Sequence, residues 1–294
     1  MDLKYAVGLP TVGDFGDIHT LIDLATSAER HGWDGVHLWD HVLYHERGWP
    51  VVSSTVAAAA IAAATSHIRI ILTVVLPRRQ VQDVARDTAA IDALSGRRLT
   101  LVATLGSMDR EYTEFGLDPD LRVRGRALDE RLDKLAELRS EWGLPRIPIW
   151  CGGRWPHRAG LRRAARFDGA MPTFDDQRAH NTAVDVFSAA ASFVRELATG
   201  ETDLALEAAT DPASAAETIA PYAEAGLTWW VEALGWWRGD RASAALRIAQ
   251  GPPADVNVPT TGPSVRYTEE CARRSGAIQG GVGRLPVRSP DDPQ

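Results

Sequence analysis

The strongest constraint on the fold is a repeated alternation of short apolar runs with longer segments of helical spacing. The apolar runs predict strands at 5–9, 35–39, 68–76, 99–105, 147–151, 168–171, 203–208 and 228–234. The helical spacing predicts helices at 18–31, 53–65, 81–94, 124–142, 157–166, 182–198, 214–225 and 241–250. Eight strand–helix units in succession are typical of a (β/α)8 TIM barrel of the α/β class.

A doubly wound open sheet is the rival fold for such an alternation. Its glycine-rich loop usually follows the first strand, whereas here the first strand leads into Pro10-Thr11-Val12-Gly13, which lacks that pattern. We therefore predict one barrel domain over residues 1–250. The rest of the chain is rich in proline and glycine and poor in apolar residues, which predicts a disordered tail over 251–294.

Charge and cysteine content exclude several classes of protein. The net charge is −7 and the basic residues are scattered, which argues against a nucleic acid partner. Cys151 and Cys271 lie far apart and predict neither a disulfide framework nor a metal cluster. The first residues lack a signal-peptide pattern, and the apolar runs near 56–64 and 68–76 are too short to span a membrane. We therefore expect a cytoplasmic protein without a membrane partner.

A pair of glycines marks a candidate anion site. Gly152 and Gly153 follow the fifth predicted strand directly, and Arg154, Trp155 and Pro156 come next. Pro156 suits the first position of a helix. A strand that turns through two glycines into a helix exposes backbone N–H groups, which favours binding of a phosphate, and Arg154 could add charge. The same pattern also occurs as a tight turn without a ligand, and the sequence leaves both interpretations open.

In a TIM barrel the active site lies at the carboxyl ends of the strands, and this rule selects the other candidates. The second predicted strand is followed by Asp40 and His41. An imidazole can exchange a proton near neutral pH, whereas Asp40, on the opposite side, is expected to fix the loop or a cofactor. A surface histidine beside an acidic cap is the alternative interpretation. Further residues at strand ends are Val74, Val75, Leu76, Gly106, Ser107, Gly235, Trp236 and Trp237.

The chain also contains ten tryptophans. Those at strand ends could line an apolar pocket for a flat ligand, whereas core packing is favoured for Trp33, Trp142 and Trp229. Arg97 and Arg98 precede the fourth strand, at the bottom of the barrel, and are predicted to be structural. No serine or cysteine lies in a nucleophile-elbow pattern, and no group of His, Asp or Glu has the spacing of a metal site.

Several motifs occur together along the chain: Trp-Asp-His at 39–41, Leu-Ser-Gly-Arg-Arg-Leu at 94–99, Glu-Tyr-Thr-Glu-Phe-Gly at 111–116, and Trp-Cys-Gly-Gly-Arg-Trp-Pro with Leu-Arg-Arg-Ala-Ala-Arg-Phe-Asp-Gly within 150–169. As a set they resemble the bacterial luciferase-like monooxygenase family, and the similarity extends over about residues 4–250. The resemblance implies a TIM barrel that binds reduced FMN or the deazaflavin coenzyme F-420 at the carboxyl ends of its strands. It also implies that Gly152, Gly153 and a helix start at Trp155 hold the cofactor phosphate, with Arg154 beside them.

The resemblance further implies which residues surround the flavin ring. Asp40 and His41 would lie near the ring, with His41 as the proton-transfer residue. The third strand near 72–74 would bulge against the face of the ring, often through a non-prolyl cis peptide bond. Val74 and Gly106, at the ends of the third and fourth strands, are therefore added to the cofactor-binding candidates.

Two departures from the family pattern bear on the activity. Ser107 stands where the sugar-phosphate dehydrogenases of the deazaflavin branch carry a glutamate base, which argues against that reaction but not against the deazaflavin. The connection between the fourth long helix and the fifth strand, 142–148, is shorter than is common in the family. A more open site, a larger substrate or impaired activity would each be consistent with this short connection.

The first hypothesis is therefore a flavin-dependent monooxygenase that uses reduced FMN and O2 on a small organic substrate. Hydride transfer with coenzyme F-420 is the alternative within the oxidoreductases. A barrel that binds flavin without catalysis is the alternative from another class. Family analogy adds a homodimer and a separate flavin or deazaflavin reductase as expected partners.

Overall fold

Parallel strands form one closed barrel in the computed structural model, which describes residues 3–175, 177 and 180–253. The strands are β1 (Lys4–Leu9), β2 (Gly35–Leu38), β3 (Arg69–Val75), β4 (Leu99–Thr104), β5 (Ile149–Arg154), β6 (Gly169–Thr173), β7 (Asp203–Ala208) and β8 (Trp229–Ala233). Each strand pairs in parallel with its neighbours in sequence order, and β8 pairs with β1. The predicted (β/α)8 TIM barrel is confirmed. The predicted tail lies outside the described residues from 254 onward.

Helices surround the barrel. They are α1 (Ile18–Arg30), α2 (Ser54–Ala64), α3 (Val81–Leu94), α4 (Arg110–Thr113), α5 (Leu121–Glu141), α6 (Arg158–Ala164), α7 (Val184–Leu197), α8 (Ala215–Glu224) and α9 (Arg241–Ala249). The short α4, in the connection after β4, was not predicted. The helix α5 begins earlier than predicted because the Asp120 carboxylate accepts the backbone N–H groups of Arg122 and Val123 and caps its first turn. The connection from α5 to β5 spans 142–148, as predicted.

The local sequence explains where α1 begins and ends. The Asp17 carboxylate accepts the backbone N–H of Thr20 at 2.8 Å and caps the amino end of the helix. Leu21 and Leu24 lie on the buried face of α1, as its helical spacing predicts. Gly32, with a φ of +83°, follows the last turn in the left-handed conformation that favours glycine.

The interior of the barrel is packed with side chains. The inner cluster consists of Ala6, Ile71, Val102, Trp150, Met171, Ala205, Trp229 and Val231. Trp150 fits because residue 169 is glycine, since a Cβ there would lie 2.2 Å from the Trp150 ring. Trp33 and Trp229 are both buried, as predicted. The filled interior leaves the open end, at the carboxyl ends of the strands, as the place for a site.

Arg98 ties the bottom of the barrel together, as predicted for a structural residue. Its guanidinium is buried and donates to the backbone carbonyls of Ile68 at 2.6 Å, Thr65 at 2.8 Å and Ala62 at 3.1 Å. These carbonyls lie at or beyond the end of α2 and would otherwise lack partners. Arg97, in contrast, has a side chain that is 63% exposed and pairs with Asp92.

We expect Arg98→Ala to lower the free energy of unfolding by about 3 kcal/mol, because several buried carbonyls lose charged donors. Arg166→Ala is the matched control and should cost about 0–1 kcal/mol, because its side chain and those of its partners Asp129 and Asp133 are all exposed. Urea titrations followed by tryptophan fluorescence would measure both values. Equal losses in the two variants would contradict the structural role of Arg98.

Cys151 lies on the face of β5 that packs against the helices, and it is fully buried. Burial raises the pKa of the Cys151 thiol to about 12. Cys151 is therefore a packing residue rather than a nucleophile at neutral pH. Within the part of the chain that the structure describes, no helix is both long enough and apolar enough to cross a membrane.

Candidate functional site

The mouth of the barrel is formed by the carboxyl ends of the strands, and alternation decides which side chains face it. Ile71 belongs to the inner cluster, so Thr73 and Val75 on the same strand also face the interior. Val74 lies on the other face and lines a small apolar space with Val84 of α3. The side chain of Val74 is therefore directed at the helices, which leaves only its backbone to contact a cofactor.

The third strand is regular. It pairs with β4 without interruption from Ile70 to Val75. The cis peptide bond found in the described residues is Trp155–Pro156. The expected bulge and non-prolyl cis peptide bond near 72–74 are therefore wrong.

Asp40 connects three elements near the mouth. It is 3% exposed. Its carboxylate accepts the backbone N–H of Val75 at 2.8 Å, the hydroxyl of Ser54 at 3.2 Å and the guanidinium of Arg79 at 2.5 Å. Arg78 lies 3.6 Å from the same carboxylate and adds a second positive charge. Asp40 thus fixes the end of β3 and the start of α2 relative to its own loop, which is the first of the two roles that the sequence suggested.

His41 is paired with a buried carboxylate. It is 9% exposed, and its Nδ1 lies 3.2 Å from Oε1 of Glu111 in α4, which is completely buried. The same oxygen accepts the backbone N–H of Val42 at 2.7 Å and lies 2.8 Å from Nη1 of Arg78. Because a carboxylate accepts, Nδ1 of His41 carries the proton and Nε2, on the other edge of the ring, is the basic nitrogen.

The surroundings keep Glu111 ionised. Burial alone would raise the pKa of Glu111, but the hydrogen bond from His41, the charges of His41 and Arg78, and the Val42 N–H together lower it. An ionised Glu111 maintains the proton on Nδ1 of His41. The pair can therefore accept or donate a proton at Nε2.

A second carboxylate, that of Glu207, reaches the mouth from β7. It lies on the inner face, two positions after Ala205 of the inner cluster. The Glu207 side chain lies against Gly8 of β1. It requires glycine there, because a Cβ at position 8 would lie 2.6 Å from Oε1 of Glu207. Oε1 accepts the indole N–H of Trp39 at 3.0 Å, and Oε2 lies 3.9 Å from Nδ1 of His37.

His37 lies below this carboxylate and is 3% exposed. Its Nε2 is 2.8 Å from the hydroxyl of Thr73, and its Nδ1 has no hydrogen-bond partner among the described residues. Burial lowers the pKa of His37 to about 3. The ring is therefore neutral near neutral pH.

Five rings form an aromatic cluster at the mouth: Trp39, Tyr44, Trp49, Trp236 and Trp237. Trp39 stacks on Trp237 with ring centroids 5.5 Å apart, and Tyr44 stacks on Trp49 at 5.9 Å. Trp236 meets the rings of Trp39 and Trp49 edge-on. Three tryptophans that the sequence placed at strand ends, Trp39, Trp236 and Trp237, thus come together in this cluster.

The paired glycines do not form the predicted turn, because β5 continues through both of them to Arg154 and pairs with β6. A Cβ on Gly152 would lie 2.9 Å from Cγ2 of Thr104. A Cβ on Gly153 would lie 2.9 Å from Cα of Gly160 in α6. The glycines therefore allow close packing on both faces of β5. In a sequence, paired glycines required for packing cannot be distinguished from paired glycines in a turn.

The groups after β5 are partly occupied by other contacts. Arg154 Nε donates to Asp175 at 2.7 Å, which balances its charge. The Trp155 N–H donates to the carbonyl of Thr173 at 2.9 Å. The helix α6 begins at Arg158 rather than at Trp155, and no side chain caps its first turn. The N–H groups suited to an anion therefore lie later in the chain than the sequence suggested.

Gly106 follows β4 with a φ of +72°. A Cβ on Gly106 would lie 2.9 Å from Val75, so the glycine allows the loop to approach the inner face of β3. The hydroxyl of Tyr112 donates to the carbonyl of Leu105 at 2.6 Å and fixes this loop against α4. No group of three His, Cys, Asp or Glu residues in the described ranges is arranged to hold a metal ion.

The sequence did not identify two of the carboxylates at the mouth. Glu111 was noticed only as part of the motif at 111–116, without a role. Glu207 carried a detectable signal, because it is an acidic residue on the inner face of a parallel strand whose neighbours Leu204, Ala205 and Leu206 are apolar. Such a residue is costly to bury and is often retained for function.

Comparison with known proteins identifies the family of the chain. A family model described as luciferase-like monooxygenase matches residues 6–228. No curated protein sequence matches the chain.

Solved structures share the fold at low sequence identity. The coenzyme F-420-dependent tetrahydromethanopterin reductase from Methanopyrus kandleri superposes with a TM-score of 0.67 at 13% identity, covering 85% of this chain and 99% of the reductase. A monooxygenase from Streptomyces bottropensis gives 0.59 at 20% identity, covering 76% and 77%. The EDTA monooxygenase from Chelativorans sp. BNC1 gives 0.59 at 16% identity, covering 77% and 70%.

Proposed function

The chain belongs to the luciferase-like monooxygenase family, and on this premise we propose that it is a flavin-dependent oxidoreductase. More specifically, we propose a monooxygenase that uses reduced FMN and O2 on a small organic substrate. The observation that carries this proposal is the His41–Glu111 pair, a positioned base at the mouth of the barrel beside the aromatic cluster. Bound reduced FMN would supply the electrons for the reaction.

The residues at the mouth fit a flat cofactor with a phosphate tail. The aromatic cluster offers apolar ring faces. Gly106 lies at the mouth after β4, where its φ of +72° brings the loop against β3 without a side chain of its own. We propose that the cofactor phosphate is bound near Gly152 and Gly153, because the close packing of Gly153 on Gly160 brings the uncapped start of α6, with Arg158 in its first turn, against the end of β5.

The residues at the mouth have distinct roles in this proposal. His41 takes or gives a proton at Nε2, and Glu111 holds its ring in the required tautomer. Asp40 acts indirectly, because its carboxylate holds the end of β3 in place. The aromatic cluster excludes bulk water from the reacting groups.

Hydride transfer with coenzyme F-420 is the second candidate. The similarity to the F-420-dependent reductase, which covers almost all of that protein, supports it. Ser107 in place of a glutamate separates this chain from the sugar-phosphate reaction but leaves other F-420 reactions open. A homodimer and a separate reductase that supplies the reduced cofactor complete the proposal for either cofactor.

A binding titration distinguishes the cofactors. The full chain is titrated anaerobically with reduced FMN and, separately, with coenzyme F-420, and quenching of tryptophan fluorescence is followed. We expect saturable quenching by reduced FMN, because the aromatic cluster would contact the ring. Trp142→Phe is the matched control. Because Trp142 packs against Arg86 and is not part of the aromatic cluster, this variant should keep the quenching.

Tight binding of coenzyme F-420 without binding of FMN would favour the second candidate. Binding of FMN without oxygen consumption across a broad panel of organic substrates would favour a non-catalytic flavin-binding barrel. If neither cofactor binds, the proposal of an oxidoreductase fails.

A further inference from the structure

A second line of polar side chains crosses the mouth, separate from the His41–Glu111 pair. Thr73 of β3 is half-buried, and its hydroxyl lies 2.8 Å from Nε2 of His37. Nδ1 of His37 lies 3.9 Å from Oε2 of Glu207, on the opposite side of the barrel. The buried ring of His37 thus lies between Thr73 and Glu207, which are both partly exposed at the mouth.

The hydrogen bond from Thr73 determines which nitrogen of His37 carries the ring proton. When the ring of His37 is neutral, Nε2 can accept the hydroxyl proton of Thr73 only if the ring proton is on Nδ1. That proton then faces the Glu207 carboxylate. The separation of 3.9 Å is longer than a hydrogen bond, so a proton transfer requires Oε2 of Glu207 to move closer to Nδ1.

The position of Glu207 is itself specified by its neighbours. The indole N–H of Trp39 holds Oε1 at 3.0 Å. The absence of a side chain at Gly8 provides the space, since a Cβ there would lie 2.6 Å from the same oxygen. A residue of β1 and a residue just after β2, neither of which pairs with β7, thus determine where the Glu207 carboxylate lies.

We propose that Thr73, His37 and Glu207 form a relay that moves a proton between a ligand bound at the mouth and Glu207. The relay deepens the proposed function, because the ligand at its outer end is the cofactor or substrate of that reaction. Thr73 is the catalytic residue, since its hydroxyl would contact the ligand. His37 and Glu207 are positioning residues that act through it.

The proton movements balance without any electron transfer. The ligand loses a proton to the Thr73 oxygen, while the hydroxyl proton of Thr73 moves to Nε2 of His37. The proton on Nδ1 moves at the same time to Oε2 of Glu207, which becomes a neutral carboxylic acid. The imidazole changes tautomer but stays neutral, as its burial requires.

The test uses nuclear magnetic resonance of the full-length chain labelled with 15N at histidine and tryptophan. The 15N shifts of His37 report which nitrogen carries the proton, and the indole N–H signal of Trp39 reports the charge on Glu207. Trp39→Phe and His37→Gln assign the two sets of signals. Reduced FMN is the first probe, and coenzyme F-420 is the second.

In the free chain we expect the proton of His37 on Nδ1. Bound probe should shift it towards Nε2 and change the indole signal of Trp39. Both changes should disappear in Thr73→Val and Glu207→Gln, and they should persist in Thr73→Ser, which keeps the hydroxyl. Glu201→Gln, an exposed change of the same charge just before β7, should also keep them. Gly8→Ala should weaken them by displacing Glu207.

A free chain with the proton of His37 on Nε2 would overturn the relay. The relay would also be overturned if a probe whose binding is verified by quenching leaves the His37 tautomer unchanged. The same holds if the probe shifts the tautomer equally in the parent chain and in Glu207→Gln. If neither probe binds, the proposed function fails and the free chain decides the relay alone. The relay then requires that Glu207→Gln change the Nδ1 shift and Thr73→Val change the Nε2 shift, and it is overturned otherwise.

Discussion

Asp40→Ala should lower the free energy of unfolding by about 3–5 kcal/mol, because it removes one partner from a buried set of charges. The side chain of Arg78 is 4% exposed and that of Arg79 29% exposed, and both would lose the anion that they share. The backbone N–H of Val75 would lose its acceptor as well. Urea unfolding followed by circular dichroism and tryptophan fluorescence would measure the loss.

Asp40→Asn is the matched control. The amide oxygen can still accept the N–H of Val75, but the negative charge is gone, so we expect a smaller loss of about 1–3 kcal/mol. The same two variants separate the structural role of Asp40 from a direct role in cofactor binding. An Asp40→Asn chain that keeps the parent stability but no longer binds cofactor would show that the carboxylate contacts the cofactor.

His41→Ala should reduce turnover by about 10²–10⁴-fold while leaving cofactor binding nearly unchanged, because it removes a general acid or base. The measurement is steady-state turnover of the substrate found in the panel, together with the fluorescence titration. His67→Ala, an exposed histidine before β3 at the other end of the barrel, is the control and should match the parent chain. An unchanged rate in His41→Ala would remove His41 from the mechanism.

The pKa of Glu111 sets the pH range of that experiment. Because its folded-state pKa is lowered, Glu111 contributes stability that is fully present above its ordinary pKa of about 4.5. The contribution is lost only as the pH falls further, through the folded value. Near neutral pH the Glu111 carboxylate is therefore ionised, and the His41→Ala comparison can be made there without loss of the Glu111 contribution.

The barrel could be predicted because buried parallel strands and amphipathic helices have different apolar periods. The end of β5 could not be predicted in this way. Gly152 and Gly153 have the composition of a turn, but they are strand residues that pack against Thr104 and Gly160. Glycine at a close approach and glycine in a turn look the same in one sequence. Only the packing of α6 on β5 distinguishes them.

The candidate site was only partly predictable for a related reason. Asp40 and His41 follow from the rule that strand ends form the mouth. Glu111 and Glu207 depend on contacts that form only after folding, with Glu111 lying 70 positions from His41 in the chain. A spacing rule within one segment does not detect pairs of this kind.

The sealed position of Cys151 has a practical consequence for spectroscopy. A thiol with a pKa of about 12 and no exposed surface does not react with maleimides at neutral pH. Cys151 can therefore stay in place when fluorescent or spin labels are attached, and Cys271→Ser alone would give a background for labels at chosen positions. Distances between labels on the loops around the mouth could then be followed without disturbing the barrel.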